Sequence, residues 1–223
     1  MSEFINQYGN LLLEGTLATI YMVLASTILA YIFGLPIGVL VTITKEHSIL
    51  PSKNLNVVLG WIVNIGRSIP FIILLVALMP FTSFVVGTAL GVKAAVVPLV
   101  VAATPFVARL IETSLLEVDE GLIEVAHATG STTGQIVWKV MLPESKPSIL
   151  LGMSITFITL VGYSAMAGVL GAGGLGDIAI RYGYYRYQTD VMIATIIILV
   201  VLVQLVQSLG NFISLRSDKR IRK

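Results

Sequence analysis

The chain has 223 residues, of which 56% are hydrophobic and 12% charged, and a formal net charge of +2. With a mean hydropathy of +0.93 it is too apolar for a water-soluble domain, and it lacks the strong basic excess of a nucleic-acid binder. The absence of cysteine excludes disulfides, thiolate metal sites and a cysteine nucleophile, and leaves the redox compartment open.

Read in chain order, the composition predicts an all-α polytopic membrane protein with about five transmembrane helices and a single domain over residues 1–223. The first span is expected at 15–44, a run free of charged residues and longer than the roughly 20 residues that cross a bilayer core. No basic region precedes it, and it exceeds the apolar stretch of about 7–15 residues in a signal peptide, so it reads as a retained span. A second span is expected at 55–79, interrupted by Arg67. An ionisable group inside a span is costly in lipid. Arg67 therefore faces the bundle interior, water or a partner, or it snorkels toward the interface from a span that starts near Trp61. Pro70, three residues on, would leave backbone carbonyls free near a pore. The third span, 84–110, carries Pro98 and Pro105. The fourth is expected at 149–171, within the stretch free of charge between Lys146 and Asp177, and the fifth at 190–213, which apart from Asp190 falls in the run free of charge over 191–215.

Between the third and fourth spans lies a polar segment, 112–146. Within it, 121–129 can form a short helix with Glu124 and Ala128 on one face, and Gly130 suits a left-handed stop. Ser131 or Thr132 can then cap a second helix over 135–142, which Pro143 helps to end. The product is a helical elbow with a blunt corner. On spacing alone, a plain solvated loop between spans is the other reading.

Five spans put the termini on opposite sides. If the C-terminus is cytoplasmic, that side holds Lys45, Lys53, Arg109, Lys139, Lys146, Arg216, Lys219, Arg220, Arg222 and Lys223, against Lys93, Arg181 and Arg186 outside. This bias predicts an outer N-terminus and a cytoplasmic elbow. The basic cluster after Leu215 suits anionic lipid better than nucleic acid.

Two motifs imitate enzyme chemistry. GAGGLG (171–176) matches the dinucleotide fingerprint in form, but that fingerprint needs a strand before it and a helix after it. Here it follows a span and precedes Tyr182, Tyr184, Tyr185 and Tyr187, an aromatic belt, so a flexible turn or unwound helix end is the better reading. GYSAM (162–166) imitates a serine nucleophile, which needs a base within reach. The two histidines, His47 and His127, fall in predicted cytoplasmic loops and offer neither that base nor a metal site. No phosphate-binding GxxxxGK[ST] loop occurs, so the chain cannot hydrolyse ATP by that route. No catalytic residue, metal or cofactor is assigned.

EVAHATGSTTGQIVWKVMLP (124–143) resembles the signature loop of ABC importer permeases, in which a Glu-Ala-Ala triplet is followed at fixed spacing by Gly and an Ile-x-Leu-Pro ending. Glu124, Ala126, Gly130, Val140, Leu142 and Pro143 fall on those positions; Val125 replaces the first Ala and Val140 the usual Ile. RSIPFIILL (67–75) and LVGYSAMAGVLGAGGLG (160–176) resemble the methionine-type members, and a similar glycine cluster occurs in methionine and betaine permeases.

The resemblance implies the type I importer permease fold and transport of methionine, the L form and as a further candidate the D form. It implies an ATPase-coupling elbow that includes Ser131 and Thr132, ATP bound only by a partner, a homodimer, two cytoplasmic ATPase subunits and an extracytoplasmic substrate-binding lipoprotein in a bacterial inner membrane. A five-span subunit is in any case a thin wall for a pathway, which argues for two copies about a two-fold axis. Arg67, Pro70, Tyr163, Ser164 and Met166 are the candidate pathway or gate residues. A permease for glycine betaine or another amino acid is the nearest alternative. An ion-coupled secondary transporter is a remote one, since it would need acidic residues inside the membrane.

Overall fold

The computed structural model describes residues 2–218; Lys219, Arg220, Arg222 and Lys223, part of the basic cluster read from the sequence, lie outside them. All regular structure among the described residues is helical. Helix α1 (Ser2–Ile43) runs for 42 residues with Pro36 inside it, about 63 Å at 1.5 Å per residue. It therefore starts well before the span expected at 15–44. Glu3, Asn6, Gln7, Asn10 and Glu14 lower the hydropathy of this first part, yet Phe4, Tyr8, Leu11 and Leu12 recur at helical spacing. They pack with Tyr182, Ile178 and Val191, which makes residues 2–14 an amphipathic extension of the span.

The stretch expected as a second span is broken. Helix α2 (Lys53–Ser68) is followed by α3 (Phe71–Ala77), and the chain bends by 99° between them. Pro70 causes the break: it has no N–H to continue α2, and it sits as the N-cap of α3 with φ −58°. Its own carbonyl is not free but accepts the amides of Ile73 and Leu74, each at 3.0 Å. Helix α4 (Met79–Val86) stops at Gly87, whose φ is 84°. Helix α5 (Val92–Leu116) thus begins later than the 84 expected and runs on past 110, absorbing Pro98 and Pro105. Next come α6 (Glu120–Ala128), α7 (Thr133–Ile136), α8 (Leu142–Glu144), α9 (Lys146–Val169), α10 (Gly174–Ile178) and α11 (Thr189–Ser217). Four of these, α1, α5, α9 and α11, are long and apolar enough to cross a membrane, and the α2–α3 pair is a fifth if counted as one broken span.

The chain divides into two compact units. One comprises the residues up to Leu29, Ile69–Ala103 and Phe157–Gln207; the other comprises Ala30–Ser68, Thr104–Thr156 and the residues from Ser208 on. In the first unit, GAGGLG is a packed turn rather than a flexible one. Gly174, Leu175, Gly176 and Ile178 are buried, and the Leu175 amide donates to Thr19 Oγ1 at 2.9 Å. A Cβ on Gly176 would lie 2.4 Å from Ala165 Cα, so α10 folds back onto α9 at backbone contact. Of the tyrosines beyond it, Tyr184 at 64%, Tyr185 at 69% and Tyr187 at 88% exposure form the exposed group expected of an interfacial belt, whereas Tyr182 is half-buried against Tyr8 and the core that holds Leu12.

In the second unit, Gly34 and Gly38 of α1 let α5 approach closely: a Cβ on Gly38 would meet the Ala108 carbonyl oxygen at 2.5 Å. This is the small-xxx-small spacing of close membrane helix pairs. Val41, Val63 and Ala108 form the core there. Asn56 Nδ2 donates to the Val41 carbonyl at 2.7 Å and to Thr44 Oγ1 at 3.1 Å, which pins the 44–52 loop.

Candidate coupling elbow and pathway residues

The polar segment of the second unit folds as a capped elbow. Asp119 accepts the Gly121 amide at 2.7 Å and starts α6. At its end Gly130 takes φ 77°, the Gly130 amide bonds to the His127 carbonyl at 2.9 Å, and the Ser131 amide reaches back to Ala126 at 3.1 Å. This pairing is a Schellman stop, and it requires the left-handed residue that glycine supplies without strain. Thr132 then opens α7 with a reciprocal capping box: the Gln135 amide donates to Thr132 Oγ1 at 3.4 Å, and the Thr132 amide donates to Gln135 Oε1 at 2.9 Å. The corner is therefore fixed by backbone and cap hydrogen bonds on both sides of Gly130, from Ala126 to Gln135.

Pro143 does not end the second helix. A π-helical turn, Val137–Met141, precedes it, Pro143 lies inside the short α8, and α9 follows after Ser145 alone. In that turn the Leu142 amide bonds five residues back, to Val137. The wider turn gives the proline ring room that an α-turn would deny it.

The elbow presents two faces. Leu122 and Val125, 43% and 63% exposed, point to solvent, whereas Ala126 is buried together with Ile136, Val137 and Met141, so it packs the elbow rather than presenting it. Glu120, Ile123, Glu124 and His127, at i, i+3, i+4 and i+7, line a cleft of about 710 Å³ that has Lys45 and His47 of the 44–52 loop on its other side. Gly130, Thr132 and Pro143 are exposed; Ser131, Val140 and Leu142 are half-buried. A capped corner with an apolar outer face and an inner cleft that mixes charged and apolar side chains can transmit a mechanical push. It has no arrangement suited to bond chemistry.

The pathway candidates belong to both units. Arg67 sits exposed in the last turn of α2 in the second unit, where a cation complements the helix dipole. In the first unit Tyr163 stacks on Phe71 with centroids 4.5 Å apart and planes 1° from parallel, which joins the 67–75 and 160–176 segments one residue beyond Pro70. Ser164 is buried and donates its hydroxyl to the Val161 carbonyl at 2.8 Å; it is occupied by its own helix. Met166 is 45% exposed.

Sequence reasoning missed Glu112. It lies in the last turn of α5, 3% exposed, and receives Lys45 Nζ at 2.9 Å and Arg109 Nη1 at 2.6 Å. A buried carboxylate persists where it is paired in this way. Its partner Lys45 is 67 positions away in the chain, so no local pattern marks the pair.

Similarity to known proteins converges on one family. The sequence profile described as "Binding-protein-dependent transport system inner membrane component" matches residues 34–223. The chain is 51% identical over 212 residues to the "Probable D-methionine transport system permease protein MetI" of Vibrio cholerae serotype O1, covering 95% of this chain and 94% of that one. It is 42% identical to the "Methionine import system permease protein MetP" of Bacillus subtilis, covering 81% and 82%. Among solved structures, an inward-facing form of the MetNI methionine ABC transporter superposes with a TM-score of 0.93 at 47% identity, covering 95% of this chain and 98% of that one. An amino acid ABC transporter crystallised with histidines reaches 0.78 at 21% identity, a likeness of fold alone. The fold is the all-α fold of type I importer permeases, and the chain belongs to the family of binding-protein-dependent transport system inner membrane components.

Proposed function

We propose that this chain is the membrane-spanning permease of an ATP-driven importer of methionine, forming the translocation pathway as a homodimer joined to two cytoplasmic ATPase subunits. An extracytoplasmic binding lipoprotein delivers the substrate. The observation that carries this reading is the capped elbow, whose exposed Leu122 and Val125 form an outward apolar corner suited to a groove on a partner. The chain has no phosphate loop of its own, so the nucleotide site belongs to that partner. The relatives that transport methionine support the substrate.

In this reading ATP closes the ATPase pair, the elbow follows, and the permease shifts between two states. The loaded binding protein biases the same equilibrium from outside. Glu124, Ala126, Gly130, Ser131, Thr132, Val140, Leu142 and Pro143 build the coupling element. Arg67, Pro70, Tyr163, Ser164 and Met166 mark the pathway and its gate; the exposed thioether of Met166 is a flexible apolar plug that does not fix water.

Reconstitution tests it. The permease, its ATPase and its binding protein in liposomes should take up methionine only with ATP, and the permease alone should show no ATP turnover. Hydrolysis by the isolated permease, or uptake driven by an ion gradient without ATP, overturns the reading. Substituting binding proteins specific for glycine betaine or other amino acids should fail to stimulate hydrolysis.

The orientation is tested separately. Cysteines placed singly at Ser2 and Ser217 in this cysteine-free chain meet an impermeant thiol reagent on intact cells. Label is expected at Ser2→Cys and not at Ser217→Cys, with the elbow on the Ser217 side. The reverse pattern inverts the topology.

A further inference from the structure

Glu112 has no place in the coupling surface described above, yet it is the buried charged group to which two elements of the second unit are tied. Its carboxylate is 4% exposed, whereas the Lys45 and Arg109 side chains are 36% and 50% exposed. Lys45 follows the end of α1 and begins the 44–52 loop, whose Leu50 and Ser52 amides bond back to Ile43 and Thr44 at 3.0 Å. Glu112 is four residues before the end of α5, and only the turn 117–119 separates α5 from α6. Lys45 also lines the cleft that Glu120 and Glu124 line. The ion network thus stands at the root of the elbow, between the helix end that carries α6 and the loop across the cleft.

We infer that Glu112 is a positioning residue of the transport cycle: bound to Lys45 and Arg109, it ties the end of α1 to the end of α5 so that a push on α6 moves both helices together. This rests on the importer reading. A buried carboxylate that loses its partners is costly, and two cations that lose their carboxylate are released to water. The link therefore resists being pulled apart during a power stroke, whereas the apolar contacts nearby can slide.

Glu112→Gln removes the charge and keeps the shape. The test uses the whole complex in liposomes, with ATPase and binding protein, and measures methionine taken up per ATP hydrolysed. The unaltered complex serves as control: if it shows no ATP-driven uptake, the importer reading fails and not the link. Given a working control, Glu112→Gln should still assemble and hydrolyse ATP, with uptake per ATP lowered about tenfold, within the ordinary range of coupling between sites. Lys45→Arg, which keeps both ion pairs of Glu112, should leave uptake per ATP at the level of the control. If Glu112→Gln does not assemble, Lys45→Met, which keeps the Arg109 partner, is read in its place with the same expectation. Uptake per ATP within twofold of the control, or hydrolysis and uptake falling in parallel, overturns the inference.

Discussion

Gly176→Ala should lower the stability of the permease by about 3 kcal/mol, the upper part of the range for overpacking, because the added methyl meets backbone rather than a movable side chain. The Cβ would lie 2.4 Å from Ala165 Cα, 2.5 Å from its carbonyl oxygen and 2.9 Å from its carbonyl carbon. None of these atoms can move without displacing α9. Thermal unfolding in detergent should show a drop of roughly 6–12 °C, taking about 2–4 °C per kcal/mol for a chain of this size. Gly176→Val should leave little folded protein to measure. Gly60, inside α2, is the control: nothing lies within 4 Å of its Cβ position, so Gly60→Ala should be neutral or gain up to about 1 kcal/mol from helix propensity. Equal thermal stability of the Gly176 and Gly60 alanine variants would contradict the packed turn.

Local signals were legible and distant ones were not. The stop at Gly130 and a cap at Ser131 or Thr132 could be read because such signals are written in neighbours, but the second helix starts at Thr133, two residues before the 135 expected, since Thr132 rather than Ser131 caps it through Gln135. Pro143 misled for the same local reason. A proline at that position ends an α-helix by default, and nothing short of the backbone shows that Val137–Met141 widens into a π-turn to carry the chain past it. Hydropathy located the lipid-facing runs but misplaced the start of α1. There the polar side chains of residues 2–14 hide a stripe, Phe4, Tyr8, Leu11 and Leu12, that a helical period reveals and an average does not. GAGGLG read as loose because glycine permits motion; whether it also permits close contact depends on Thr19 and Ala165, residues supplied by other parts of the first unit. The Phe71–Tyr163 stack and the Lys45–Glu112 pair, 92 and 67 positions apart in the sequence, are tertiary facts of this kind.

Gly130→Val should abolish uptake while the protein still inserts in the membrane. The site has no neighbour within 4 Å of a Cβ, so crowding is not the cause; the cost is in the backbone. At φ 77° a β-branched residue is a severe outlier, disfavoured by roughly 1–2 kcal/mol or more relative to glycine. The elbow can shed that strain by giving up the Schellman bonds to Ala126 and His127, whereupon α6 and α7 no longer meet at a fixed corner. Gly130→Asn is the discriminating companion, because asparagine tolerates the left-handed region and should keep much of the uptake that valine loses. Glu124→Lys should fail by a different route. It places a second lysine in the cleft that Lys45 already lines, and it should weaken retention of the ATPase on the purified permease without lowering thermal stability. If Gly130→Val and Gly130→Asn transport equally well, the corner is not set by this backbone conformation. If Glu124→Lys retains the ATPase in full, the inner face of α6 has no part in coupling, and the outer pair, Leu122 and Val125, carries the contact alone.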